Sequence, residues 1–388
     1  MTITAPKGFR AAGIKAGIKA SGNPDLALVV NDGPQKSAAA VFTSNRVAAA
    51  PVHWSRQVVS DGRVDAVVLN SGGANACTGP QGFQNTHATA EKVADVLGVS
   101  ASDVVVCSTG LIGEQLPMDK IIPGVEAAFR ELSEDGGSAA ATAIMTTDSV
   151  SKEAVFTGTD AEGKQFTVGG IAKGAGMLAP GLATMLVVLT TDAEVPANEL
   201  DVVLRDATRV TFDRADSDGC MSTNDTVVLL ASGASEALPS AEQLSEAVTN
   251  VCAELARKLI GDAEGASHDI AIRTFNAASE RDAEIVSRSV ARSNLFKAAI
   301  FGKDPNWGRV LSAVGTTDAA FEADQLNVAM NGVQICRNGA IGDDRNLVDL
   351  EPREVLVEID LQAGDAEATI WTNDLTHDYV HENSAYSS

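Results

Sequence analysis

The stretch KGAGMLAPGLAT at 173–184 is where residue types and spacing bear most directly on chemistry. Gly174, Gly176, Pro180 and Gly181 precede the small Ala183, and Thr184 then opens the apolar run Met185–Leu189. Glycine reaches backbone conformations closed to other residues, and strained bonds persist where a fold over-determines them. A strained Ala183–Thr184 bond beside the Thr184 hydroxyl is the setting an N-to-O acyl shift needs. Hydrolysis of the resulting ester would leave Thr184 as a new N-terminus. Its α-amine, with an ordinary pKa of about 7.7–8.0, could then act as base for its own hydroxyl. By pattern alone, a glycine-rich turn feeding a buried strand is the commoner reading. A phosphate loop is excluded, because no G-x-x-x-x-G-K-[ST] occurs.

Other candidates are weaker singly. CSTGLIG at 107–113 follows the apolar Val104–Val106, so Thr109 and a neighbouring backbone N–H could converge on a carbonyl oxygen that gains charge. NSGGANACTG at 70–79 could line a pocket or simply form a loop. Thr146-Thr147-Asp148 could bind substrate, or Asp148 could cap a turn. Glu264 ends a long amphipathic helix, where a carboxylate opposes the helix dipole and needs a partner. His377 and His381 have metal-ligand spacing without an H-E-x-x-H, which reads as a surface pair. Cys107, after an apolar strand, reads as a buried, inert thiol.

The elements that must carry these residues alternate. Leu26–Asn31, Ala39–Thr43, Ala66–Asn70, Val104–Ser108, Glu153–Thr157, Gln165–Ile171 and Thr184–Thr190 read as strands, several of them apolar throughout and so buried on both faces. Ile270–Phe275, Leu326–Met330, Val355–Leu361 and Ala368–Thr372 follow as later strands. Glu91–Leu97, Met118–Leu132, an Ala-rich stretch after Ser138, and Pro196–Thr211 read as helices. Leu244, Val248, Val251, Leu255 and Leu259 mark one face of a longer helix. The class is α/β or α+β, with joints expected at Ala161–Gly181 and Ser232–Glu242.

Composition narrows the function classes. At 388 residues and 45% apolar the chain can bury a large core, and its longest apolar runs are too short to cross a bilayer. The net charge of −23 is lopsided: residues 1–183 carry 14 Lys/Arg against 17 Asp/Glu, and residues 184–388 carry 15 against 35. Such a field disfavours nucleic acid as a partner while leaving room for a small anionic substrate. Five scattered cysteines without a C-x-x-C fit a reducing compartment, and the chain reads as cytoplasmic.

Together, several blocks resemble the ornithine acetyltransferase (glutamate N-acetyltransferase) family of arginine biosynthesis. They are NSGGANACTG at 70–79, STGLIGEQLPMDK at 108–120, TTDS at 146–149, KGAGMLAPGLATML at 173–186, STND at 222–225, FGKDPNWGR at 301–309 and NSAYSS at 383–388. The resemblance runs from about Gly8 to Ser388. It implies a layered α/β sandwich of mixed sheets and helices, related in layering to N-terminal-nucleophile enzymes, with a smaller C-terminal α/β lobe. It implies self-cleavage between Ala183 and Thr184 into chains 1–183 and 184–388, assembled as a heterotetramer of two of each. It also implies ping-pong acetyl transfer from N-acetylornithine to glutamate through acetyl-Thr184. Acetyl-CoA is an optional second donor, and neither a metal nor an organic cofactor is implied. Thr109 and Gly110 then match the oxyanion hole, and Thr146, Lys173, Thr184, Glu264, Asn383 and Ser388 the substrate site. Lys173 suits a substrate α-carboxylate, and Glu264 the ornithine side chain or amino group. Cys220-Met221, Ser267-His268 and Lys297-Ala-Ala depart from the family's commoner residues. The alternatives are a related autoprocessed aminopeptidase, in which water takes the acyl group, and a non-catalytic small-molecule binding protein.

Overall fold

A computed structural model describes residues 2–179 and 185–385. Ala183, Thr184 and Ser388 therefore lie outside the described residues.

Two sheets form the body. The first contains β1 (Phe9–Ile14), β2 (Leu26–Asn31), β4 (Ala66–Gly73) and β5 (Val104–Leu111), in the order β1-β2-β4-β5. The second contains β3 (Ser37–Phe42), β6 (Lys152–Thr159), β7 (Gln165–Lys173), β8 (Leu186–Thr191) and β9 (Thr226–Ala231), in the order β3-β9-β8-β7-β6.

Side chains alternate across a strand, so an apolar run with both faces covered feeds two cores. Leu28, Val68 and Val106 pack on α2 (Gly79–Leu97) and α3 (Met118–Arg130). Their neighbours Val29, Val67 and Val105 face Ala40, Leu186, Val188 and Val228 of the second sheet. The other face of that sheet, with Val187, Leu189 and Val227, packs on α5 (Ala197–Val210) and α6 (Ala241–Gly261). The layering is helix, sheet, sheet, helix. At the rim of the first sheet stand α1 (Ala50–Val58), whose Ser55 bonds the β5 backbone, and α4 (Gly137–Ala143), whose alanines enter the core between the sheets.

A second lobe follows. Its sheet has the order β13-β12-β11-β14-β10-β15, formed by β10 (Asp269–Ala277), β11 (Asn327–Met330), β12 (Val333–Arg337), β13 (Ala340–Ile341), β14 (Glu354–Asp360) and β15 (Ala366–Asn373). β14 buries alternate residues, as a sheet covered on one face should. Its core is shared with α7 (Glu280–Ala291), α8 (Asn294–Phe301) and α9 (Trp307–Val314). The last described element is α10 (His377–Ala385). Among the described residues no helix is long and apolar enough to cross a membrane.

Both expected joints are corrected. Ala161–Gly181 contains β7, an interior strand of the second sheet, and Ser232–Glu242 links β9 to α6 within the same body. Gly170 of β7 is small because Leu189, Val251 and Leu255 press against it. The passage between lobes comes after α6, at residues 262–268.

Candidate active site

The parallel strands β4 and β5 end side by side, with Gly72 opposite Gly110. Gly110 has φ of +128°, and a Cβ there would stand 2.6 Å from the Gly72 carbonyl carbon and the Gly73 nitrogen. Only glycine permits that approach. The strand ends are tied down by amides: Asn224 Nδ2 donates to Ser108 O at 2.8 Å and Ala74 O at 2.6 Å. Ser108 Oγ donates to Asn70 Oδ1 at 2.6 Å.

β7 delivers Lys173 to the same point. Its Nζ donates to Thr109 Oγ1 at 3.2 Å, with both residues buried. Burial pushes the Lys173 ammonium below the usual lysine range; Asp148, Asp225 and Glu264 act against that, and Lys152 with it. Asp148 is both a cap and a site residue. It accepts from Thr146 N at 2.9 Å, Gly174 N at 2.6 Å and Lys152 Nζ at 2.7 Å. Burial would raise its carboxyl, yet Lys173, Lys152 and these bonds hold it down at about 2. Lys19 completes this side, donating to Met145 O at 2.6 Å.

From the other side comes Glu264. A reciprocal Ser240–Gln243 capping box starts α6, and the helix ends at Gly261, three residues short of the carboxylate. The Glu264 N–H donates to Ala175 O at 2.9 Å, and a Cβ on Gly176 would meet its carboxylate at 2.5 Å. The partner that Glu264 needs is Asn383 of α10, whose Nδ2 donates to it at 3.0 Å. The C-terminal helix therefore folds back over the site. Thr109, Gly110, Lys173 and Thr146 thus gather on one side, and Glu264 and Asn383 on the other, of residues 174–176.

Several residues of the site were not singled out from sequence. Asp225 is buried next to the start of β8; its Oδ1 accepts from Met185 N at 3.0 Å, and its Oδ2 has no partner among the described residues. Burial pushes this carboxyl well up. Asp218 accepts from Met177 N at 2.6 Å. Asn224 and Lys297 stand only within STND and the Lys297-Ala-Ala departure, and Lys19 and Tyr379 in no motif. Runs of polar residues before apolar strands, as in STND at 222–225, were the available signal. Cys107 is buried, and burial pushes its thiol up to about 12, as fits an inert group. His377 is exposed, stacked edge-on against Phe301.

Lys152 joins Asp148 to Asp262 in a buried triad, with Nζ 2.7 and 2.6 Å from the two carboxylates. Removing the cation leaves two buried carboxylates facing each other. Lys152→Met is therefore expected to cost about 3–5 kcal/mol, read as a lowered thermal unfolding midpoint. An unchanged midpoint would contradict the role given to this triad.

These layers and this convergence define an α/β enzyme of the layered-sandwich type. The chain belongs to the ArgJ family, which matches residues 10–388. It is 68% identical over 388 residues to the arginine biosynthesis bifunctional protein ArgJ of Streptomyces coelicolor, covering 100% of both chains. The protein of the same name from Thermobifida fusca is 62% identical, again over 100% of both. Among solved structures, an ornithine acetyltransferase complexed with ornithine from Mycobacterium tuberculosis is 56% identical. The likeness has a TM-score of 0.44 and covers 48% of this chain and 96% of that one.

Proposed function

We propose that this chain transfers the acetyl group of N-acetylornithine to glutamate in arginine biosynthesis, through an acetyl ester on Thr184. Membership of the ArgJ family supports the pathway, and so do the names of the full-length relatives. "Bifunctional" in those names supports acetyl-CoA as a second donor.

The observation that carries the reading is the contact from Lys173 Nζ to Thr109 Oγ1. An ammonium can only donate, so Thr109 accepts there and keeps its own hydroxyl hydrogen for another acceptor. The cation also polarises that hydroxyl. Beside the Gly110 N–H it makes a pair of donors for the oxygen of a tetrahedral adduct. Lys173 has two further N–H groups for a substrate carboxylate.

Thr184 Oγ attacks the acetyl carbonyl, its α-amine takes the proton, and the departing ornithine amine receives that proton as the C–N bond breaks. The glutamate amine then attacks the ester, and the released proton restores the Thr184 hydroxyl. Thr146, Glu264, Asn383 and Ser388 hold the amino acid. The nucleophile is freed by self-cleavage between Ala183 and Thr184. The β7–β8 and β3–β9 ladders cross that division and would keep chains 1–183 and 184–388 together, as half of a cytoplasmic heterotetramer.

Intact-mass analysis and N-terminal sequencing of active protein test the reading. Two chains are expected, one beginning with Thr184. Acetyl exchange by a single uncut chain would overturn it.

A further inference from the structure

A cavity of about 160 Å³ lies between the lobes, bounded by Asp218, Glu264, Arg292, Lys297, Asp374 and Tyr379. Most of its charged groups are already engaged. Arg292 Nε donates to Asp216 at 2.8 Å, Asp374 accepts from His268 Nδ1 at 2.7 Å and from Ser267, and Glu264 accepts from Asn383. Two of them combine burial with spare bonding capacity. Asp218 Oδ1 is buried without a hydrogen-bond partner among the described residues. Lys297, itself buried, donates to Ser217 O and to Thr372 Oγ1, which leaves one of its three N–H groups. A buried polar atom left unpaired is costly enough to need an explanation.

The proposed reaction sets a matching problem. One site must receive a donor whose side chain ends in an ammonium and an acceptor whose side chain ends in a carboxylate. Resting on that reading, we infer that this cavity is the side-chain pocket for both. The Asp218 carboxylate takes the distal ammonium of N-acetylornithine, and the spare N–H of Lys297 takes the distal carboxylate of glutamate. Glu264 is a wall shared by this pocket and the candidate active site, and Asp218 accepts from the Met177 N–H on the pocket's edge.

Asp218 is also able to change charge. Burial pushes its carboxyl up to about 6, the Met177 N–H, Lys297 and the Cys220 N–H act against that, and Glu264 acts with it. Tyr379, whose hydroxyl is pushed up to about 12 by burial and by Asp218 and Glu264, faces it from α10 as a neutral group. Arg292 and Asp374 complete the charged surroundings. Above this range the pocket holds an anion for the donor; below it the anion is lost.

The test compares N-acetylornithine with N-acetylnorvaline, which lacks the distal amine, as donors in the same half-reaction. Dividing the two kcat/KM values cancels effects on the nucleophile. In the wild type the preference for N-acetylornithine is expected to fall as pH drops through about 6. In Asp218→Asn, which keeps an acceptor for Met177 N–H, the preference should fall about tenfold to a hundredfold at neutral pH and lose its pH dependence. KM for glutamate should not rise. A preference that is unchanged by the substitution and flat with pH in the wild type overturns the assignment. If Asp218→Asn does not fold, the wild-type profile decides alone. Wild-type protein with no acetyl exchange would instead overturn the proposed function.

Discussion

Thr184→Ala is expected to purify as one chain of 40.0 kDa and to lose at least about 10⁴-fold in acetyl transfer. Under the proposed mechanism both effects follow from a single missing oxygen. Without the hydroxyl nothing can take the acyl group of residue 183, so the backbone stays whole. Without the break there is neither a free α-amine nor a nucleophile for the donor. The fold should survive, because what anchors this part of the chain is backbone. Met185 N–H is held by Asp225, and Lys173 pairs with Leu186 across β7 and β8. Thr184→Ser keeps a hydroxyl and should retain part of both activities. Mass spectrometry and an acetyl-exchange assay check these outcomes together. A Thr184→Ala protein that still splits at this bond would remove residue 184 from the chemistry.

Much of the body was legible because its strands bury both faces. Leu26–Asn31 was read with its observed bounds, and Ala66–Asn70 and Val104–Ser108 were read as the apolar parts of β4 and β5. What escaped was structure whose buried face is polar. The helix read as Glu91–Leu97 starts at Gly79, because its first turns bury Gly82, Asn85, Thr86 and Thr89 rather than leucines. Asn75 Nδ2 ties that face down, donating to Gly82 O at 2.8 Å and Thr86 Oγ1 at 2.9 Å. No apolar period betrays such a helix.

The candidate site was partly legible for a related reason. Thr109 and Lys173 stand in blocks that can be quoted, and Glu264 at a helix end that calls for a partner, whereas the buried, unpaired oxygens of Asp218 and Asp225 show only in the fold. The departure at Ser267-His268 also gains a physical reading. His268 Nδ1 lies 2.7 Å from Asp374 Oδ2 and Nε2 3.1 Å from Leu350 O, so both ring nitrogens face acceptors.

Gly110→Ala is expected to lower kcat about 10²–10³-fold while leaving the protein folded. Two separate penalties meet at this position. A φ of +128° is closed to residues with a side chain, and the added carbon would lie 2.6 Å from backbone atoms of Gly72 and Gly73, which cannot rotate away as a side chain could. The ends of β4 and β5 must therefore part, carrying the Gly110 N–H and the Thr109 hydroxyl off the point where the proposed mechanism puts the oxyanion. Gly113→Ala separates the two penalties. Gly113 also has positive φ, +88°, but nothing lies within 4 Å of its Cβ position. It should cost some stability and leave kcat close to wild type. Comparing kcat and thermal midpoints for the two variants distinguishes backbone strain from displacement of the donors. Equal losses of activity in both would mean that strain in the loop, rather than the approach of the two strand ends, sets the rate.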